Sequence, residues 1–169
     1  MTASSLPSIT IVTPSSNQAA FLEKTILSVI FQDVQDIEYI VVDGGSQVGS
    51  VEIIQRYANR LAWWVSEPDR GQGDAINKGL LRANGEIVAW LNSDDVYTTG
   101  AIRRALEVFR ENPQAGLVYG DVGSIDAQDR MFNRMLFRQY EVEDLMAFRI
   151  ISQPGVFMRR TVLEKAGLL

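Results

Sequence analysis

Apolar residues along this chain fall alternately into short runs rich in β-formers and into segments of helical spacing. Ile9-Thr10-Ile11-Val12 predicts a first strand, stopped at Pro14. Over residues 19–30 the apolar positions Phe21, Leu22, Ile26, Val29 and Ile30 share one helical face. A second strand is predicted over 37–42, followed by the turn Asp43-Gly44-Gly45-Ser46, a helix over 51–57 and a short strand over 62–65. Residues 74–83 predict a helix burying Ala75, Ile76, Gly79, Leu80 and Ala83. The run 87–91, bounded by Gly85, predicts a strand buried on both faces, and 101–112 a helix stopped by Pro113. Strands alternating with helices predict βαβ units, hence a three-layer α/β/α fold around a mostly parallel, Rossmann-like sheet.

The pattern changes after Leu117-Val118-Tyr119. Residues 122–126 and 131–137, joined by a polar turn, predict a small antiparallel excursion in the C-terminal third. A short helix over 141–148, a strand over 155–158 and a helix over 161–166 complete the pattern. Length and the absence of a linker or repeat predict a single domain over 1–169. Ala166-Gly167-Leu168-Leu169 resembles a helix end running into an apolar segment, so a continuation past Leu169 is expected.

Polar residues cluster where the predicted strands end. Asn92-Ser93-Asp94-Asp95 closes the fourth strand with two adjacent acids, which repel each other at a partly buried edge. A hard divalent cation would compensate them, and a polar turn ahead of the next helix is the simpler alternative. Thr13-Pro14-Ser15-Ser16-Asn17 and Asp43-Gly44-Gly45-Ser46 end the first two strands, and Asp43 suits either a turn cap or a ligand contact. In Glu67-Pro68-Asp69-Arg70-Gly71-Gln72-Gly73-Asp74 the glycines suit approach to a phosphate or simple entry into a helix. There Asp74 could cap the helix and pair with Lys78, and Arg70 could be a solvated charge. The tryptophans Trp63, Trp64 and Trp90 suit core packing before a sugar platform.

Composition narrows the chemistry. Histidine and cysteine are absent, which removes Ser-His-Asp and Cys-His catalysis, disulfides and ordinary zinc sites. Acid–base work must fall to Asp, Glu, Lys or Tyr. A net charge of −5 without a dense Lys/Arg block argues against nucleic-acid binding. Residues 1–7 carry neither a cationic start nor an apolar core, and no apolar run reaches the roughly 20 residues of a membrane span, so a cytoplasmic chain is expected. No Gly-x-Gly-x-x-Gly follows the first strand and no Gly-x-x-x-x-Gly-Lys-Ser/Thr occurs, against a dinucleotide oxidoreductase and a P-loop enzyme.

In chain order, Ile11-Val12-Thr13-Pro14-Ser15, Ile40-Val41-Val42-Asp43-Gly44-Gly45-Ser46, Ser66-Glu67-Pro68-Asp69-Arg70-Gly71, Asp74-Ala75-Ile76-Asn77-Lys78-Gly79, Asn92-Ser93-Asp94-Asp95, Val118-Tyr119-Gly120-Asp121 and Gln153-Pro154-Gly155-Val156-Phe157 resemble glycosyltransferase family 2. The resemblance implies a GT-A fold and metal-dependent, inverting transfer of a sugar from a nucleotide donor, commonly UDP-linked, to a glycan or lipid-linked acceptor. It implies that Thr13, Pro14 and Ser16 line the nucleoside pocket and that Asp43 accepts a hydrogen bond from the base. Arg70, Gln72 and Asp74 would lie near the diphosphate, with Asn92 and Asp94 toward the ribose or sugar. Asp95, with Asp94, would hold Mg²⁺ or Mn²⁺. A lipid-linked acceptor would bring the full-length protein peripherally to a membrane.

Two positions depart from the family pattern: Ser16 stands where an aromatic often stacks on the base, and Val48 replaces an acid. The family's general base usually lies in an acidic segment beyond the equivalent of Leu169. Asp121 and Glu164 are the candidates by chemistry within the chain. Two alternatives remain open, a nucleotidyltransferase and a non-catalytic nucleotide-sugar-binding or scaffold protein of the same fold.

Overall fold

The computed structural model describes residues 5–47, 49–147 and 151–169. Val48, Phe148 and the first four residues of the N-terminal segment lie outside the described residues.

The strands β1 (Ile9–Ser15), β2 (Glu38–Asp43), β3 (Trp63–Ser66) and β4 (Ile87–Trp90) alternate with the helices α1 (Ala19–Ile30), α2 (Ser50–Arg56) and α3 (Gln72–Leu80). There follow α4 (Ala101–Glu111), β5 (Leu117–Tyr119), the hairpin β6 (Val122–Ile125) and β7 (Met131–Met135), α5 (Val142–Met146), β8 (Val156–Arg159) and α6 (Arg160–Ala166). Six strands form one sheet in the order β3-β2-β1-β4-β8-β5. The first four run parallel, and β8 lies antiparallel between β4 and β5. The two-stranded β6–β7 sheet is the antiparallel excursion.

Period-two alternation along the central strands sends side chains to two cores. Ile9, Ile11, Tyr39, Val41, Ile87 and Ala89 pack under α1, α2 and α4, while Val12, Ile40, Val42 and Val88 pack under α3 and α6. The three-layer α/β/α architecture follows. On α3, Ala75, Ile76, Gly79 and Leu80 are buried as their spacing predicts, and a Cβ at Gly79 would meet Val12 Cγ1 at 2.4 Å. That approach seats the C-terminal turn of α3 directly on β1.

Four local expectations differ. Helix α3 ends at Leu80, short of the predicted 83, and leaves Ala83 half-buried past its end. Strand β1 runs through Pro14, which pairs with Val42, rather than stopping there. The Val12 carbonyl accepts the Leu91 N–H (2.9 Å), so two residues on, the Pro14 nitrogen also faces the β4 side. The β4 pairing has ended by then, at Val12↔Trp90, so the missing N–H costs no ladder bond. Helix α3 starts at Gln72, ahead of Asp74, because Gly71 takes φ +114° and turns the chain early. Phe21 is half exposed because α1 turns Leu22, Thr25, Ile26 and Val29 to the sheet instead.

Candidate functional site

All four strand-end turns lie along the carboxyl edge of the parallel strands, where open α/β sheets bind ligands. The first three are sewn together by hydrogen bonds. Gly44 N–H donates to the Ser15 carbonyl (2.8 Å), Asn17 N–H to Ser46 Oγ (2.7 Å) and Gln47 N–H to Asn17 Oδ1 (2.9 Å). Gly44 has no room for a side chain, since a Cβ would stand 2.6 Å from Asp69 Oδ2. Asp43 lies at the centre with 0% exposure. Its carboxylate accepts the Ser46 N–H (2.9 Å), Ser46 Oγ (2.5 Å) and Ser66 Oγ (2.7 Å).

At the third turn, Asp74 in the first turn of α3 accepts the Arg70 backbone N–H (3.2 Å) and guanidinium (2.9 Å), with Lys78 at 3.6 Å. The hydrogen bonds from Arg70 hold the Asp74 carboxyl below the usual carboxylate range. Gln72 then crosses to the fourth turn, donating from Nε2 to Asn92 Oδ1 (2.7 Å).

The fourth turn is built more firmly than its polar sequence suggests. Asp95 N–H donates to the Asn92 carbonyl (3.0 Å), and Thr25 of α1 donates from Oγ1 to the Asp95 carbonyl (2.8 Å). Asn92 Nδ2 reaches Asp95 Oδ2 (3.1 Å) and Gln153 Oε1 (3.2 Å). Burial, then the neighbouring charge of Asp94, pushes the Asp95 carboxyl above the usual range, and the Asn92 amide only partly offsets this. Asp94 itself is exposed.

On the far side of the Asp94–Asp95 turn, a cleft of about 840 Å³ opens between α4, β5 and the β6–β7 hairpin. Tyr97, Arg104, Val118, Asp121 and Met131 line it together with the two acids. The hairpin turn leans back onto α1 through an ion pair between Asp129 and Lys24. Asp121 accepts the Phe137 N–H (2.9 Å) and pairs with Arg134 (3.0 Å), and these hold its carboxyl low, the backbone bond first. Glu164, on α6, pairs with Arg160 at 2.5 Å.

The structure therefore gathers Ser16, Arg70, Gln72, Asp74, Asn92, Asp94 and Asp95 along one accessible edge. Thr13, Pro14 and Asp43 lie buried behind it, with the Thr13 hydroxyl bonded to Tyr39 OH (2.9 Å). Thr25, Ser66 and Gln153 join the site without any signal of their own in periodicity. Only Ser66 and Gln153, which stand inside quoted motifs, were within reach of the sequence. Among the described residues no three or more His, Cys, Asp or Glu side chains cluster as a ready metal cage. Nor is any helix among them long and apolar enough to cross a membrane.

Comparison with known proteins bears on this edge. The fold is shared with S. aureus TarS, solved as residues 1–349 in complex with UDP-GlcNAc, at a TM-score of 0.79 and 20% identity over 94% of this chain and 47% of that one. It is shared too with a mannosyltransferase of Pyrobaculum calidifontis in complex with GDP-Man and Mn²⁺, at a TM-score of 0.73 and 23% identity over 97% and 48% of the respective chains. The fold is thus of the GT-A type. An uncharacterised glycosyltransferase of Nostoc sp. (strain PCC 7120) is 30% identical over 93% of this chain and 52% of its own length. A PGL/p-HBAD biosynthesis glycosyltransferase of Mycobacterium tuberculosis (strain H37Rv) is 29% identical over 95% and 62%. The chain spans about half the length of the Nostoc relative. The model of glycosyl transferase family 2 matches residues 10–167, and with the motifs in place along one sheet edge the chain belongs to that family.

Proposed function

We propose that this chain is the donor- and metal-binding part of a glycosyltransferase that moves a sugar, with inversion, from a UDP-linked donor to a hydroxyl of a glycan or lipid-linked acceptor. The observation that carries this reading is the position of the Asp94–Asp95 turn. Connected polar loops lie on one side of it and a cleft of about 840 Å³ on the other. A donor laid over the loops would present its anomeric carbon at the turn, open to in-line attack by an acceptor seated in the cleft.

On this reading Ser16 and the adjoining backbone of residues 13–16 line the nucleoside pocket. Asp43 shapes that pocket from behind by holding Ser46 and Ser66, in place of a direct bond to the base. Gly71, Gln72 and the first turn of α3 face the diphosphate, with Arg70 within reach and at present resting on Asp74.

Asp95 and Asp94 are assigned Mg²⁺ or Mn²⁺. Their oxygen donors suit a hard cation, and the raised Asp95 carboxyl marks negative charge that the surrounding protein leaves undercompensated. Asp94 and Asp95 would hold the cation without a third acid beside them among the described residues, as suits a metal carried in with a diphosphate. Bound there, the cation supplies Lewis-acid stabilisation of the departing diphosphate. The acceptor's base is assigned to neither named acid of this span. Asp121 is held below the usual carboxylate range by the Phe137 N–H and Arg134, which weakens it as a base, and Glu164 is ion-paired on α6, outside the cleft lining. A cytoplasmic location, peripheral to a membrane where the acceptor is lipid-linked, belongs to the same proposal.

Calorimetric titration with UDP, with and without Mn²⁺, tests the reading. Mn²⁺ should tighten UDP binding, and Asp95→Ala should abolish that gain. UDP binding indifferent to Mn²⁺, or a gain untouched by Asp95→Ala, would overturn it.

A further inference from the structure

Three side-chain amides form a chain whose polarity is settled from one end. The Trp90 carbonyl can only accept, so Gln153 turns its Nε2 to it, at 2.6 Å. That leaves Gln153 Oε1 facing Asn92, which must present its own Nδ2, at 3.2 Å. With one hydrogen committed to Gln153, the second points to Asp95 Oδ2 at 3.1 Å. Asn92 Oδ1 then faces the other way, where Gln72 donates to it at 2.7 Å. A flip of any one amide would set donor against donor or oxygen against oxygen.

We propose that Gln153 is a positioning residue: acting through Asn92, it ties down Oδ2 of Asp95 and so presents Oδ1 to the cation of the donor complex. The second half rests on the function proposed above; the first, that Gln153 orients Asp95, does not. Gln153 sits in the turn before β8, 61 residues along the chain from Asn92, so the last strand of the sheet carries the support for the fourth turn. Partners that hold a metal ligand from behind commonly affect metal affinity about 10–100-fold.

The test uses Gln153→Met, which keeps the length of the side chain and removes both amide bonds. In the ligand-free protein, the side-chain amide resonances of Asn92 and the Asp95 carboxyl carbon should both move relative to wild type. Mn²⁺ binding to the UDP-saturated protein, read by electron paramagnetic resonance, should weaken about tenfold, with UDP affinity in the absence of metal unchanged. Should Gln153→Met fail to fold, Gln153→Asn, one methylene too short to bridge, gives the same comparison.

Unmoved Asn92 and Asp95 resonances would overturn the relay whatever the metal does. Moved resonances with unchanged Mn²⁺ affinity would overturn its role toward the cation. If wild-type protein takes up no Mn²⁺ with UDP, the functional reading fails and the role toward the cation fails with it, while the resonances still decide whether Gln153 orients Asp95.

Discussion

Replacing Gly79 by alanine reverses the usual expectation for a helix. In an exposed helix interior the change stabilises by about 1 kcal/mol, because alanine loses less backbone freedom on folding. Here the new Cβ would stand 2.4 Å from Val12 Cγ1 and 2.9 Å from Cγ2. Ordinary carbon contacts begin near 3.5 Å, so either α3 must back away by about 1 Å or Val12 must turn. Val12 is fully buried among Ile40, Val42, Ile76 and Val88, and its branched side chain is stiff at χ1, so it has little room to turn. Overpacking of this kind costs about 1–3 kcal/mol. After the propensity gain, a net loss of up to about 2 kcal/mol is expected, a urea midpoint lower by up to roughly 1 M. Tryptophan fluorescence in urea reads it directly. Repeating Gly79→Ala in a Val12→Ala background removes the two γ-carbons and leaves only the Cβ at 3.2 Å, so there the substitution should cost clearly less. A midpoint that rises in the wild-type background, or falls equally in both, would refute the steric account.

Asp43→Ala strips one buried carboxylate from three donors and should cost about 2–4 kcal/mol, measured as a fall in urea midpoint; a surface-like change below about 0.5 kcal/mol would mean that the turn does not depend on it. Asp95→Asn should make the ligand-free protein more stable near neutrality. The folded-state carboxyl is raised, so the native state holds its proton to higher pH than the unfolded chain, and ionisation erodes stability as pH rises through that window. The advantage of Asp95→Asn should vanish below about pH 3.5, where the carboxyl is protonated in both states; midpoints compared at low and neutral pH check the sign. Exchanging the exposed Lys24 for alanine breaks its pair with Asp129 and should change global stability by less than about 1 kcal/mol in the same urea assay.

Much of the architecture was legible because continuous apolar runs such as 87–91 and the Ala75, Ile76, Gly79, Leu80 face each obey one geometry. The acidic turn after β4 was legible for a similar reason, as carboxylates directly after a buried run mark a strand's end. What escaped was non-local. Nothing in Val156-Phe157-Met158-Arg159 says that it will slot antiparallel between β4 and β5, since four residues carry a strand signal but no partner. Pro14 looked like a stop because its effect depends on which neighbour lies beside it, and β4 has already turned away. Asp43 was equally suited to capping and to ligand contact; only the convergence of Ser46 and Ser66 reveals how thoroughly its oxygens are engaged. Gln153 was quoted within a motif, but its tie to Asn92 exists only once the sheet is closed.

The placement of β8 also sets an order of events during synthesis. Among the described residues, strand β5 pairs with β8 and with no other strand of the sheet, and the outer edge of β4 is covered by the same strand. Until residues 156–159 emerge from the ribosome, both edges stay unpaired, and an open edge invites association with other chains. Pairing across so long an intervening stretch is slow compared with the local β1-α1-β2 unit. The half of the site built on β1 to β3 can therefore form early, whereas the Asp94–Asp95 turn acquires its support from Gln153 only as β8 is made.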